Sequence, residues 1–413
     1  MRISLRAVGA CALVALSLTA CSSTKTPASS STQPAATLTI WADDQRSAAL
    51  KPFAEAFGKA NHVDVQVQAV SKDLQTVYVT AAQSGKGPDI VVGAHDWIGN
   101  LVQNGTIDPI QLSEQQKAGF ADVAVKAVTF NGQVYGVPYA IENLALIRNT
   151  DLAPAAPATI EDLVAAGKAL KDAGKVSTVM SLQVGQNGDA YHIYPLFASA
   201  GGYLFGTKPN GDYDPADLGV GKPASIEAFK KIAALGEKGA GALTRSVNSD
   251  NAIPTFTGGK APFLISGPWA VADIKKAGLH YDITPVPPFA GGKPAQPFVG
   301  VQAFYVASKG KSKALANEFI TNYLTKPDLQ VALYQANPRP PALTAALDQV
   351  KGSDPDLEKW LTAGKGGAVL PAIPAMAAVW DPLGKAESAI VGGADPAATL
   401  TGAAKTISDA IAK

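Results

Sequence analysis

Residues 141–147, Ile-Glu-Asn-Leu-Ala-Leu-Ile, constrain this chain more than any other stretch. They are apolar enough to form a buried strand, yet Glu142 interrupts them. A carboxylate in a buried strand is tolerated only with a partner. Two readings follow. Glu142 is satisfied by an internal salt bridge, or the strand crosses between two lobes and turns Glu142 toward a polar ligand.

The chain has 413 residues and a formal net charge of +1. That length exceeds what one core supports and suits two lobes. Near-neutral charge without basic clusters argues against nucleic acid as a partner. Both cysteines, Cys11 and Cys21, precede the globular part, which therefore has neither disulfide nor thiol chemistry. The four histidines show no metal spacing, so no metal or other cofactor is expected.

Arg2 and Arg6 followed by an apolar run over 8–18 read as a secretory signal, residues 1–20. Leu18-Thr-Ala-Cys21 resembles a bacterial lipobox, which implies cleavage before Cys21 and a lipid anchor on its sulfur. Residues 22–36 hold no aromatic and no large aliphatic side chain, and read as a flexible tether. The expected location is extracytoplasmic, anchored to the cell membrane.

From residue 38 strands and helices alternate, which predicts an α/β fold with a largely parallel sheet. In such sheets ligands sit at the carboxyl ends of the strands. Asp43, Asp44, Gln45 and Arg46 follow the first predicted strand, and His95, Asp96 and Trp97 the third. A helix starts at the capping box Thr159-Ile-Glu-Asp162. Another presents Ile226, Phe229 and Ile232 on one face. A third carries Ala316, Phe319, Ile320, Tyr323 and Leu324 at helical spacing. The segment 354–413 is mostly helical by composition.

Several motifs then occur in a fixed order. They are Gly87-Pro-Asp-Ile90 with Ala94-His-Asp96, Tyr135-Gly-Val-Pro-Tyr-Ala-Ile-Glu142 and Gly201-Gly-Tyr203. Gly267-Pro-Trp-Ala270, residues 293–301 and Pro371-Ala-Ile-Pro-Ala-Met-Ala-Ala-Val-Trp380 complete the set. Together they resemble the maltose/maltodextrin-binding proteins of ABC importers, over about residues 38–410. The resemblance implies a two-lobed periplasmic-binding-protein-like fold with discontinuous lobes, 37–141 plus 301–345 and 142–300 plus 346–413. Three hinge crossings would lie near Glu142, Val301 and Ala346. It implies an oligosaccharide ligand of the maltodextrin class and a monomer that delivers it to the permease transmembrane subunits.

The resemblance also places a ligand site on Asp43, Asp44, Gln45, Arg46, Asp96, Glu142, Asp189, Tyr191, Trp269 and Trp380, with Gln75 nearby. Carboxylates accept hydrogen bonds from vicinal hydroxyls, and indoles cover the apolar face of a pyranose. Alone, Asp43 and Asp44 read equally well as a helix cap, and each tryptophan as core. The family often has an aromatic three residues before its cleft aspartate, where this chain has Gly93. Trp97 is expected to replace that surface. Gly384 stands where the best-known member has an arginine, and these departures at the subsite walls leave trehalose, cyclodextrin or another α-glucoside as the alternative ligand. A secreted glycosidase is the enzyme alternative, with Asp96 and Glu142 as its carboxylates, although no residue reads from sequence as an acid of raised pKa. A structural or adhesive surface protein is the third.

Overall fold

The computed structural model describes residues 36–209 and 211–412. The segments read from sequence as a signal and a tether, with Cys21, lie outside them except for residue 36. Among the described residues no helix is long and apolar enough to cross a membrane.

The fold is α/β and two-lobed, built on two sheets. Alternating side chains bury Leu38, Ile40 and Ala42 on one face of the strand Thr37–Ala42. That strand lies parallel to Asp64–Ala69 on one side and Ile90–Ala94 on the other. The next neighbour is Phe298–Val306, buried at all nine positions and antiparallel to both Ile90–Ala94 and Gly136–Asn143. The second sheet has three antiparallel strands, Phe263–Ser266, Ala145–Asn149 and Tyr281–Thr284, with Ala145–Asn149 in the middle. The expectation of a largely parallel sheet therefore fails at Phe298–Val306, which is antiparallel to two neighbours and parallel only to the short strand Ala368–Val369, and fails throughout the second sheet. Alternation of helix and strand predicts crossovers, but the chain returns to the first sheet from the second body and enters it reversed.

The apolar run 141–147 is two strands rather than one. Gly136–Asn143 belongs to the first sheet and Ala145–Asn149 to the second, with Leu144 between them. A continuous apolar run arises because both strands are covered on both faces. Glu142 lies one residue from the end of the first.

Each sheet carries its own core. Leu38, Ile40, Val92, Phe304, Tyr305 and Phe319 belong to the first. Phe197, Phe229, Ile232, Phe263 and Leu383 belong to the second, and Ile147, Leu264 and Trp360 to a smaller cluster behind the second sheet. The predicted helices form for the expected reasons. Thr159 caps Ile160–Asp172 reciprocally with Asp162. Pro223–Leu235 buries Phe229 and Ile232, although Ile226 stays half-buried. The face predicted over 316–324 is split into the α-helix Lys313–Glu318 and the π-helical turn Phe319–Tyr323. The turn places Phe319 and Tyr323 against Phe57, at ring-centroid distances of 5.0 and 5.3 Å.

Candidate functional site

The strand Ile90–Ala94 ends in the 3-10 turn His95–Trp97, which aims Asp96 away from the sheet. His95 is fully buried and fixes that turn. Its Nδ1 accepts from Val301 N–H at 3.0 Å, so Nε2 carries the proton and donates to Leu370 O at 2.9 Å. Burial pushes the ring down to about 4, which keeps it neutral. Three distant segments are thereby tied beside Asp96.

Asp96 lies beside Trp380, the first residue of the helix Trp380–Val391, whose indole N–H favours the ionised carboxylate. Burial, only partly offset by Asp96's own backbone N–H and then by Trp380, pushes Asp96 up to about 7, and the negative charge of Glu142 adds to the rise. The structure thus contains the raised acid that the sequence reading did not find.

Glu142 takes the first of the two initial readings, an internal salt bridge. Its Oε1 accepts from Gln302 Nε2 at 2.6 Å, and its Oε2 accepts from Arg339 Nε at 2.7 Å. The Arg339 guanidinium lies 5.8 Å from the Trp269 ring centroid. Tyr191 stands 6.5 Å from the same ring, and its buried hydroxyl has no partner among the described residues. Burial, then Glu142, Asp96 and Asp189, raise the Tyr191 phenol well above its ordinary value, so it remains a neutral donor.

Arg46 approaches from the first helix, Asp44–Asn61. Its Nε donates to Tyr139 Oη at 2.9 Å and its Nη1 pairs with Asp43. Burial opposes its charge, but Tyr139, Asp43 and Glu142 outweigh that effect and hold the proton more firmly than usual. Asp43 is also the helix cap, accepting from Arg46 N–H at 2.8 Å.

Asp96, Glu142, Tyr191, Trp269, Trp380 and Arg46 thus form one cluster. Trp97 borders it, and its ring lies over Gly93 so closely that a Cβ there would be 2.0 Å from the indole. The indole therefore occupies the space that a side chain at 93 would take. Other candidates fall outside the cluster. Asp44 and Gln45 are exposed; Asp44 accepts from Ser71 and Gln45 from Asn337. Gln75 reaches only Asn100, at 3.4 Å.

Asp189 sits one layer back. It accepts from the backbone N–H of Tyr191 and His192 and from Gln183. Burial works against its charge, but His192 and these donors hold its carboxyl below the ordinary value. His192 Nδ1 approaches to 3.0 Å, off line for a hydrogen bond, so that contact is an ionic one when the ring is protonated.

Behind Asp189 lies Glu387, fully buried. Its Oε2 accepts from Asp189 N–H at 2.6 Å, while its Oε1 meets no partner among the described residues. Burial, then the charge of Asp189, pushes the Glu387 carboxyl well above its usual range. The native state therefore holds this proton more tightly than the unfolded chain. The resulting stability is complete below the unfolded value near about 4.3 and is lost as pH rises toward the folded value. Asp96 contributes in the same sense. In thermal melts from about pH 5 to about pH 8, Glu387→Gln should show a shallower decline than the wild type. Equal slopes would exclude Glu387 as a source.

Arg339, Gln302 and Tyr139 were missed from the sequence. Gln302 had a usable signal, because it is a lone polar residue in a nine-residue apolar strand, as Glu142 is in its own. Arg339 lies in Asn337-Pro-Arg-Pro-Pro341, which reads as an irregular junction.

A hollow of ≈ 10 Å³ touches the cluster only at Arg46; its other walls include Leu50, Val92, Tyr139, Phe304 and Leu333 of the first core. A cavity of ≈ 1130 Å³ lies elsewhere, walled by Val125, Phe130, Tyr213, Val369, Ile373 and Ile411 among others, and none of the candidate residues lines it. Its size would make it the default ligand site. The cluster differs from it in bringing acids, guanidinium groups and indoles together, the side chains that give a pocket specificity.

A two-lobed α/β chain with acids and indoles meeting between two cores has the form of a solute-binding protein, and comparison with known proteins agrees. Residues 52–360 match the family model described as bacterial extracellular solute-binding protein, and the chain belongs to that family. It is similar to the galactooligosaccharide-binding protein of Bacillus subtilis (strain 168), 27% identical over 96% of this chain and 94% of the relative. The maltodextrin-binding protein MdxE of the same organism is 31% identical over 91% of this chain and 89% of the relative. The maltooligosaccharide ABC transporter solute-binding lipoprotein of Streptococcus pneumoniae (serotype 4) is 30% identical over 91% and 89%.

Proposed function

We propose that this protein captures an oligosaccharide of the maltodextrin class for an ABC importer, and holds it among Asp96, Glu142, Tyr191, Trp269 and Trp380. The lobes are 37–141 plus 301–345 and 142–300 plus 346–413, hinged near Glu142, Val301 and Ala346. Cys21 carries the lipid that keeps the monomer beside the permease, whose transmembrane subunits receive the sugar.

The observation that carries this reading is the direct contact of Asp96 with Trp380. Asp96 comes from the first sheet, and Trp380 from a helix over the second core. Pockets for ligands of several rings enclose roughly 300–1,000 Å³. Side chains already packed on one another, Arg339 against Trp269 and Trp269 against Tyr191, must part to admit such a ligand. A hinge provides that opening, and reclosure places an acid and an indole on the sugar together. The names of the maltodextrin and maltooligosaccharide relatives support the α-glucan class; the galactooligosaccharide relative makes β-galactosides the alternative.

Catalysis is the second reading, because Asp96 at about 7 beside Glu142 has the character of an acid–carboxylate pair. Capture is favoured since both oxygens of Glu142 are already engaged by Gln302 and Arg339. A thermal-shift screen separates these readings. Maltose, maltotriose and cyclodextrin are compared with trehalose, galactooligosaccharides and cellobiose. A ligand at 100 times its Kd should stabilise the native state by about 2.7 kcal/mol. A response to galactooligosaccharides alone would replace the maltodextrin class, and silence toward every sugar would reject capture. Glucose released from maltotriose would establish the enzyme.

A further inference from the structure

Arg339 stands in the cluster without having been marked by any motif. Its segment runs beside the strand Gly136–Asn143, with Ile141 N–H donating to Pro340 O at 2.8 Å and Ala342 N–H to Tyr139 O at 3.1 Å. Pro338, Pro340 and Pro341 restrict φ on both sides of it, so the backbone delivering the side chain is stiff. The side chain is 7% exposed.

Its donors are unevenly used. Nε donates to Glu142 and Nη1 to Asn337, while Nη2 has no acceptor among the described residues. Two more polar atoms in the cluster lack partners. One is Gln302 Oε1, whose amide nitrogen is committed to Glu142, and the other is the Tyr191 hydroxyl. Buried polar atoms without partners are rare, and several in one place need an explanation. Here they are an amide acceptor and a phenol, and the uncommitted Arg339 Nη2, which is not sealed from water, is a donor beside them. The acidic partner of Arg339 and the Trp269 face beside it lie in the same spot.

We propose that Arg339 is a direct sugar-binding residue that sets specificity. Its Nη2 donates to a hydroxyl of the pyranose resting on Trp269, and Gln302 Oε1 and the Tyr191 hydroxyl take neighbouring hydroxyls. Each sugar hydroxyl both donates and accepts, so one ring can satisfy all three. The Glu142 pair then has a second purpose: it orients the guanidinium before the ligand arrives. The inference rests on the carbohydrate-capture reading above.

Calorimetry with methyl β-maltoside and its monodeoxy derivatives tests it, with 4-β-galactobiose and its deoxy derivatives if the screen selects galactosides. In the wild type, removing the contacted hydroxyl should weaken binding about 10–100-fold, the loss of a charge-assisted bond. Arg339→Lys keeps a cation for Glu142 but loses the planar fork. It should bind the parent sugar at least about 10-fold more weakly and no longer distinguish that one deoxy derivative. Arg339→Gln should do the same; if it fails to fold, the lysine variant carries the test. An equal loss for the parent and every derivative would reduce Arg339 to a strut for Glu142, and unchanged affinity would remove it from the site. Wild-type protein that binds no saccharide would reject capture itself, a result seen before any variant is made.

Discussion

Glu142→Ala is expected to lower the unfolding free energy by about 3–5 kcal/mol and to abolish detectable sugar binding. The reason is asymmetry. Glu142 is the carboxylate partner of a buried guanidinium, and removing it strands Arg339 with a charge away from water. It also strips the Gln302 amide of its acceptor. Glu142→Gln should fall between, because an amide oxygen can accept one of the two bonds. The double variant Glu142→Ala/Arg339→Ala should recover part of the stability lost by Glu142→Ala, since no unpaired charge remains, while binding stays lost. Urea denaturation gives the stabilities. If Glu142→Ala unfolds like the wild type, the ion pair is not buried as described.

Gly384→Arg, which puts back the side chain of the best-known relative, is expected to impair this protein. Gly188 has φ +75 and approaches Gly384 backbone to backbone, so that a Cβ on Gly188 would lie 1.6 Å from Gly384 O. A Cβ on Gly384 would already be 3.0 Å from Asn187 O. A long side chain there must lift the loop that leads into Asp189 and Tyr191. Overpacking of this kind costs about 1–3 kcal/mol, and the displaced Tyr191 should weaken sugar binding by at least roughly 10-fold. Gly188→Ala should be worse for stability, because it adds a left-handed backbone penalty of about 1–2 kcal/mol to the clash. Thermal melts and calorimetry on both variants check this. Wild-type affinity in Gly384→Arg would show that the loop has room to move.

These two cases mark where sequence reading stops. The absence of an arginine at 384 is visible in the chain, but its cause is a loop almost two hundred residues away. The charge of Glu142 in an apolar run announces a partner, but not which one, since Arg339 is 197 positions distant. Asp43 and Asp189 were selected for the ligand. The fold turns most of their oxygens toward their own backbone and neighbours, a use that local sequence makes equally reasonable.

Short-range physics was legible. Periodicity marked the helices, the capping box placed the start of Ile160–Asp172, and collinear motifs picked out Asp96, Trp269 and Trp380. Each of these signals depends on residues within a few turns of one another, or on the order of motifs along the chain. The tertiary structure alone decided that 141–147 is shared between two sheets and that the later strand enters the first sheet antiparallel. It also decided that Asp96 is an acid of raised pKa beside Trp380. Those outcomes depend on burial and on pairing between distant segments, and neither has a local signature in the order of residues.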